Sequence, residues 1–501
     1  MSGMLRRFRS LISSPVKSTI SPSQHIILPV KAAIQMKAAK ASLEGISNHE
    51  EEATRIGFKT ERDMMCKGGT AMRWAWVVVM LIMLIALNPL NVGTLWAATI
   101  NAASCSQADV NSAITSAVDG DTVIIPAGTC TWTTQLTALS SAKAITVQGA
   151  GIDRTIIVDN VSKAGGGLET VLFPVSVARG KTFRLTGMTF QGLAQDTQVF
   201  NKGTVVLSGT EQDFRLDHLK FTQPGTSAIR LYGHLYGVVD HCNFDLSNFK
   251  QGINVQHNGW NGYANGDGSF ADITYLGTNR AIYIEDNTFL GAGAAGAGPL
   301  DSWSGGRFVF RYNTVTNDTL AVHGTESGGR LRGVRSYEIY HNTFTTTPFI
   351  FASMYMRGGV GVIYSNTITG YKYGIDFAEF RAQSLYNPWG KCDGSSVYDG
   401  NQQANGYPCI DQVGWGTSDL LSGDPPTPVA WPHQIQDPVY VWSNTFSVTN
   451  ATVNSEAAQV QPGRDYILDT PKPGYTAYTY PHPLVSGTAA LPKPPANLQV
   501  K

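Results

Sequence analysis

Neither charge is in excess in this chain: Lys+Arg and Asp+Glu both number 37 in 501 residues, a net charge of zero with His neutral. Binding to nucleic acid without sequence preference runs on a positive surplus, so that class is excluded. Charge of either sign is scarce, at 15% of residues against the ~25% of typical domains. Long Lys/Glu-rich helical runs are missing, and Gly, Asn, Thr and Ser stand in their place, the composition of a turn-rich β protein. No C-x-x-C pair occurs, which argues against a cysteine-held zinc. The apolar run "WAWVVVMLIMLIAL" (74–87) falls short of the ~20 residues that a membrane span needs.

Met72-Arg73 precede that run, and "NPLNVGTLWAAT" follows with small residues at Ala97 and Ala98. A short positive start, an apolar stretch and a small-residue site over 72–98 read as a secretory signal. Two readings of the basic, unpatterned residues 1–71 stay open: a true start at Met72, or a cytoplasmic tail ahead of a signal anchor at 74–90. Only the second gives the protein a membrane contact. Both put the remainder outside the cytoplasm, secreted or in the cell envelope. An oxidising compartment lets Cys105 close with Cys130 and Cys392 with Cys409. Cys242, inside a repeated phrase, reads as a buried thiol.

The repetition itself is the main signal. "EIYHNTF" (338–344) returns as "AIYIEDNTF" (281–289), "FRYNTV" (310–315), "VIYSNTI" (362–368), "YVWSNTF" (440–446) and "GVVDHCNF" (237–244). With Phe190 and Phe221 added, the last apolar residues fall at 190, 221, 244, 289, 315, 344, 368 and 446. The steps are 31, 23, 45, 26, 29, 24 and 78, and a period of 20–50 residues marks stacked coils. Alternating polarity and β-branched or aromatic residues make each phrase a strand. With no helical spacer between strands, the product is a parallel β-solenoid. Asn tolerates the left-handed backbone conformation. Asn243, Asn287, Asn313, Asn342, Asn366 and Asn444 are therefore expected to turn the corners and form an amide ladder from coil to coil. Ahead of the first coils, Val110, Ala113, Ile114 and Ala117 have helical spacing and predict an amphipathic helix capping the open end.

This cap, the "DGDTVIIPAGT" phrase and the "VVDHCNF"/"NTF" coils resemble the pectate lyase superfamily over roughly residues 100–450. The resemblance, to secreted bacterial members of unassigned activity, implies an all-β, single-stranded right-handed parallel β-helix spanning 99–470. An N-terminal helix would cap it, and a loop insertion at 378–437, stapled by Cys392 and Cys409, would interrupt it. The Pro- and Tyr-rich residues 471–501 would pack along its side. That superfamily holds lyases, hydrolases, epimerases and inert adhesins, so the resemblance names no reaction. The Asn-Thr-Asp, Asp-Asp, Gly-His-Gly and Arg-Ile-Lys set of polygalacturonases is absent, as is the Arg-x-Pro-x-x-Arg phrase of typical pectate lyases.

A second strand follows each corner: "AIRLYGH", "GINVQH", "PLDSW", "LAVHGTE", "FIFASMYMR" and "YGIDFAEFR". The two-residue period turns Arg230, Tyr232, Asn254, Gln256, Asp301, Trp303, His323, Ser353, Tyr355 and Asp376 outward. His234, His257, Trp260, Glu326, Arg357, Glu379 and Arg381 continue the stripe. Related enzymes bind polysaccharide along the corresponding face, so a polysaccharide or surface glycan is the expected partner. Arg230, Tyr232, Trp303, Arg330, Tyr355, Arg357 and Arg381 are the candidate sugar and carboxylate contacts. His323, Glu326, Asp301, Asp376 and Glu379 are the candidate catalytic groups. A hydrolase needs two carboxyls ~5 Å or ~6.5–9.5 Å apart. A uronate lyase needs a base near the C5 proton, with Arg or calcium on the carboxylate. "VHGTESGGRLRGVR" (322–335) concentrates such groups among Gly residues and is the best single segment. Calcium is the one cofactor candidate, through "NGDGSFAD" (265–272) or "CDGSSVYDGN" (392–401), neither with strict calcium-loop spacing. The rival to catalysis is a non-catalytic adhesin or envelope protein using the same face.

Overall fold

The computed structural model describes residues 97–163, 171–193, 203–293, 298–326, 331–400, 408–421, 430–456 and 458–486. All fall within the unit Leu95–Lys501. Arg330, residues 1–71 and nearly all of the expected signal lie outside the described residues. Among those described, no helix is long and apolar enough to cross a membrane. Both expected disulfides are formed, and Cys242 is a buried free thiol.

The strands join in parallel into one continuous system of 27, wound as a parallel β-helix with three sheets. The first sheet stacks Phe173–Ala178, the start of Val205–Thr222, the start of Ile229–Asp240, then Ile253–Gln256, Leu300–Trp303, Leu320–Val322, Ala352–Met356, Tyr373–Phe377 and Val453–Ser455. The second carries the opening part of each repeated phrase, such as Ile282–Glu285, Arg307–Arg311 and Ser336–Tyr340. The third carries each phrase's last residues, such as Thr288–Leu290, Thr314–Thr316 and Thr343–Thr345.

Apolar residues of one parity point into the shared interior and lie over their equivalents on the next coil. Phe190, Phe221, Phe244 and Phe289 stack with centroids 5.3, 5.2 and 4.6 Å apart. The helix Gln107–Ser116 closes the first end, capped by Ser106 and burying Val110, Ala113 and Ile114. The Cys105–Cys130 bridge ties its approach to the third sheet's first strand.

The Asn ladder is real, but its members and its geometry differ from the expectation. The positive φ belongs to the residue before the ladder position: His241, Asp286, Tyr312, His341, Ser365 and Ser443, at 53–58°. That turn swings the following Asn inward. Its Oδ1 then accepts from the backbone N–H of the preceding coil, as in Asn287 to Asn313 (3.0 Å), Asn313 to Asn342 (2.9 Å), Asn342 to Asn366 (3.0 Å) and Asn366 to Asn444 (2.9 Å). Asn243 is not a rung. It pairs with Thr288 and is exposed, and Cys242 holds the ladder place, its N–H donating to Asn287 at 2.8 Å.

Two further segments bind to the coils. The insertion between Phe377 and Val439 is pinned by the Cys392–Cys409 bridge and by two buried arginines. Arg381 forks onto Asp399 at 2.9 and 3.0 Å, and Arg332 forks onto Asp411 at 3.0 and 2.9 Å. Residues 469–486 run across the second sheet. Tyr475 reaches Glu338, Arg311 donates to the carbonyls of Tyr478 and Thr479, His482 N–H donates to Glu285, and Arg215 donates to the carbonyls of Leu484 and Val485.

Candidate active site on the first sheet

Strand register puts the outward residues of the first sheet in two columns. One runs Pro174, Val206, Arg230, Asn254, Asp301, Ala321, Tyr355, Asp376 and Asn454. The other runs Ser176, Ser208, Tyr232, Gln256 and Trp303, and continues to His323 and Arg357 past the strand ends. Successive rungs lie ~4.8 Å apart.

Where the second column leaves the regular strand, four ionisable groups meet. Glu326 Oε1 lies 2.6 Å from His323 Nδ1 and 3.0 Å from Arg357 Nη1. On the ring's other side, Asp301 Oδ1 is 2.9 Å from Nε2, and Arg357 Nη2 is also 2.9 Å from it. Arg357 is fixed by Nε–H donating to Val322 O at 2.9 Å, and Gln251 holds Asp301 Oδ2 at 2.8 Å. Trp303 meets the imidazole edge-on at 5.8 Å, while Tyr355 and Phe380 flank the Arg357 guanidinium at 5.2 and 5.1 Å. The turn from His323 to Glu326 requires glycine at 324, where a Cβ would stand 2.5 Å from Arg357 O. The cluster is nearly closed off, with His323 9% exposed and Asp301 and Glu326 3% each.

Of the expected catalytic groups, His323, Glu326 and Asp301 thus come together. Glu379 stands close enough to feel the Glu326 charge. Burial, opposed by Arg381 and reinforced by Glu326, pushes its carboxyl up to about 8. It caps the turn Phe380–Ala382 by accepting from Arg381 N–H at 2.9 Å. Asp376 does not join the cluster: it lies three rungs from Asp301, and Asn454 donates to it. Burial raises its pKa.

Arg381 is likewise withdrawn from the face, its guanidinium occupied by Asp399 and by the carbonyls of Trp389 and Gly390. Past Phe377 the strand has ended and alternation no longer sets direction. His257 and His234 also turn inside. Burial pushes them down to about 3 and about 4, and His234 stacks on buried Trp260 at 4.0 Å. Tyr232, Trp303 and Tyr355 do line the face. Sequence reasoning missed Gln251, which precedes its strand. It also missed Tyr386 in the insertion, whose pKa is raised first by burial and then by Glu326.

The calcium-loop candidates put their carboxylates elsewhere. Asp267 pairs with Arg332, Asp272 accepts from Trp260 and Tyr275, and Asp399 pairs with Arg381. Among the described residues no three His, Cys, Asp or Glu gather as a metal set.

The same face opens farther up the solenoid. A cavity of about 430 Å³ is lined by Leu136, Leu139, Val175, Ser176, Ser208 and Tyr232, among others, none of them charged.

No protein-family profile and no curated protein matches the chain. Among solved structures it is similar to ORF18 of Geobacillus virus E2, with 13% identity over 62% of this chain and 61% of that one, and a TM-score of 0.29. The chain therefore spans less than two-thirds of that protein. It is also similar to the catalytic domain of a GH87 alpha-1,3-glucanase in complex with nigerose, with 10% identity, 76% and 69% coverage and a TM-score of 0.24. At that distance the likeness is one of fold alone.

Arranged this way, the cluster is an imidazole between two carboxyl groups, with Glu326 at Nδ1 and both Asp301 and the Arg357 guanidinium at Nε2. With contacts of 2.9 and 2.6 Å on either side of the ring, the Asp301 and Glu326 oxygens are at most about 8 Å apart. That upper limit overlaps the ~6.5–9.5 Å range of paired-acid hydrolysis. The imidazole itself fills the gap, however, where a glycosidic bond and water would have to sit.

Proposed function

We propose that the protein is an extracytoplasmic enzyme that cleaves an acidic polysaccharide laid along the first sheet, by β-elimination at His323. The observation that carries this reading is the Arg357 guanidinium 2.9 Å from His323 Nε2. Elimination beside a carboxylate needs a base and, next to it, a cation for the charge that develops. The step requires the ring proton on Nδ1, toward Glu326, and the Nε2 lone pair toward Arg357. A uronate carboxylate takes over Arg357 and frees the Nε2 lone pair. His323 then takes the C5 proton, the electron pair forms the C4–C5 double bond, and the C4–O bond breaks. The imidazolium, held by Glu326 and Asp301, returns its proton to the leaving oxygen. Trp303, Tyr355 and Tyr232 supply flat surfaces for neighbouring sugar rings.

A second reading, inverting hydrolysis, rests on Glu379. A carboxyl with a raised pKa beside a second carboxyl, that of Glu326, is the kind of pair that acid–base hydrolysis uses. The test is to incubate the purified, disulfide-intact protein with pectic, alginate, glycosaminoglycan and neutral glycans, following unsaturated uronate absorbance and reducing ends separately. Unsaturated product lost in His323→Gln supports elimination. Reducing ends alone, lost in Glu379→Gln, favour hydrolysis. Retention of a glycan without cleavage makes the face a binding surface and overturns the enzyme reading.

A further inference from the structure

Most buried or half-buried arginines of the described solenoid have a carboxylate: Arg215, Arg311, Arg332, Arg357 and Arg381 all do. Fully buried Arg307 and Arg335 have backbone carbonyls instead, those of Ile273, Thr274 and Ser269 for Arg307 and of Ser269 and Asp272 for Arg335. Arg230 has neither. Among the described residues its guanidinium meets only Gln256 Oε1, at 3.4 Å, and the Tyr232 ring, at 5.1 Å. Its Nε lacks a hydrogen-bond partner. Burial without a counter-charge lowers its pKa. On the adjoining rung, Asn254 is fully buried and its Nδ2 also has no partner. A cation kept half out of water on a ligand-facing column, with no anion among the described residues to balance it, is an incomplete ion pair.

Its place along the face gives the missing partner a position. Arg230 lies three rungs before His323 and four before Arg357, or ~14 and ~19 Å at one rung per ~4.8 Å. One rung is about the length of a pyranose residue. Beyond Arg230, on the side away from His323, lies the uncharged cavity that Tyr232 helps to line. We infer that Arg230 holds an acidic substituent of the glycan about three sugars from the bond at His323. The cavity beyond it then takes uncharged sugars. The preferred ligand is therefore a heteropolysaccharide whose acidic residues are separated by neutral ones, rather than a polymer acidic at every residue. This rests on the glycan lying along the first sheet, as proposed above, but does not need it to be cleaved.

The test is binding, measured by affinity electrophoresis of the full protein at low salt. The probes are gellan (one acidic sugar in four), polygalacturonate (every sugar acidic) and laminarin (neutral). Wild type should be retarded most by gellan. Arg230→Gln should weaken gellan retention about tenfold, Arg230→Lys should restore much of it, and added salt should weaken the wild type more than Arg230→Gln. A circular dichroism spectrum matching wild type separates lost binding from lost folding. Equal retention of wild type and Arg230→Gln, tighter binding of polygalacturonate than of gellan, or no retention of either acidic polymer would overturn the inference. Arg230-dependent binding without turnover would sink the elimination reading and leave this one standing.

Discussion

Glu379 offers the sharpest test of the electrostatics around the site. It is 2% exposed, and burial together with Glu326 raises its carboxyl from 4.5 to about 8. An acid with a raised folded pKa binds its proton more tightly folded than unfolded. Stability is then highest below the unfolded value, falls as pH climbs through 4.5 to 8, and levels off above. In that window the folded protein carries a proton that the unfolded chain has lost, so the slope is ~1.4 kcal/mol per pH unit. Over the whole shift the penalty approaches about 5 kcal/mol. Glu379→Gln keeps an oxygen for Arg381 N–H and removes the titration. Urea unfolding of wild type and Glu379→Gln, with disulfides intact, should give curves that nearly coincide at pH 5 and separate steadily to pH 8, the Gln variant being the more stable. Parallel pH profiles would refute the argument, because they would mean that Glu379 is ionised and solvated in the folded protein.

Asn342→Ala removes the acceptor for Asn313 N–H and the donor to Phe310 O, Tyr340 O and Asn366. It should cost about 3–5 kcal/mol in urea unfolding, whereas Asn444→Ala, at the part-buried end of the ladder, should cost clearly less. Arg332→Met leaves Asp267 and Asp411 buried without their cation. A loss of about 3–5 kcal/mol is expected, with faster proteolysis between 378 and 437 than in wild type. His323→Gln should lower kcat by ~10²–10⁴ with KM little changed, since the ring acts on a proton in the transition state. A KM effect alone would make His323 a binding residue.

The architecture was legible because a solenoid writes its period into the chain, and the two-residue alternation then placed Asp301, Trp303, His323 and Tyr355 on one face. The corner geometry was legible only in part. In "NTF" the Asn stands two before the aromatic, but in "DHCNF" it stands one before. That single-residue offset moves Asn243 out to solvent and gives its place to Cys242. Where strands end, alternation stops informing. Arg381 lies past Phe377 and turns to Asp399, a partner in the insertion. The hydrogen bond from Asn454 to Asp376 spans a sequence separation of 78, which no local pattern records. Glu326 and Arg357 were found by their company, not by their geometry, since both lie beyond regular strand.

The segment that crosses the second sheet changes how the whole solenoid comes apart. Stacked coils touch only their neighbours, so such a chain can fray from either end, coil by coil. Here residues 475–484 run backwards over the stack. Tyr475 contacts the coil of Glu338, Tyr478 that of Arg311, His482 that of Glu285 and Leu484 that of Arg215, across separations of 137 to 269 residues. Coils that stack early in synthesis are tied together only once residues 475–484 have been made. The coils from Arg215 to Glu338 are thereby tied to one another through a shared strap. A chain ending at Leu468 should stack its coils at an unchanged rate and lose them faster, because contacts formed last weigh on unfolding rather than on folding. Where unfolding is irreversible, those contacts set the lifetime of the folded chain.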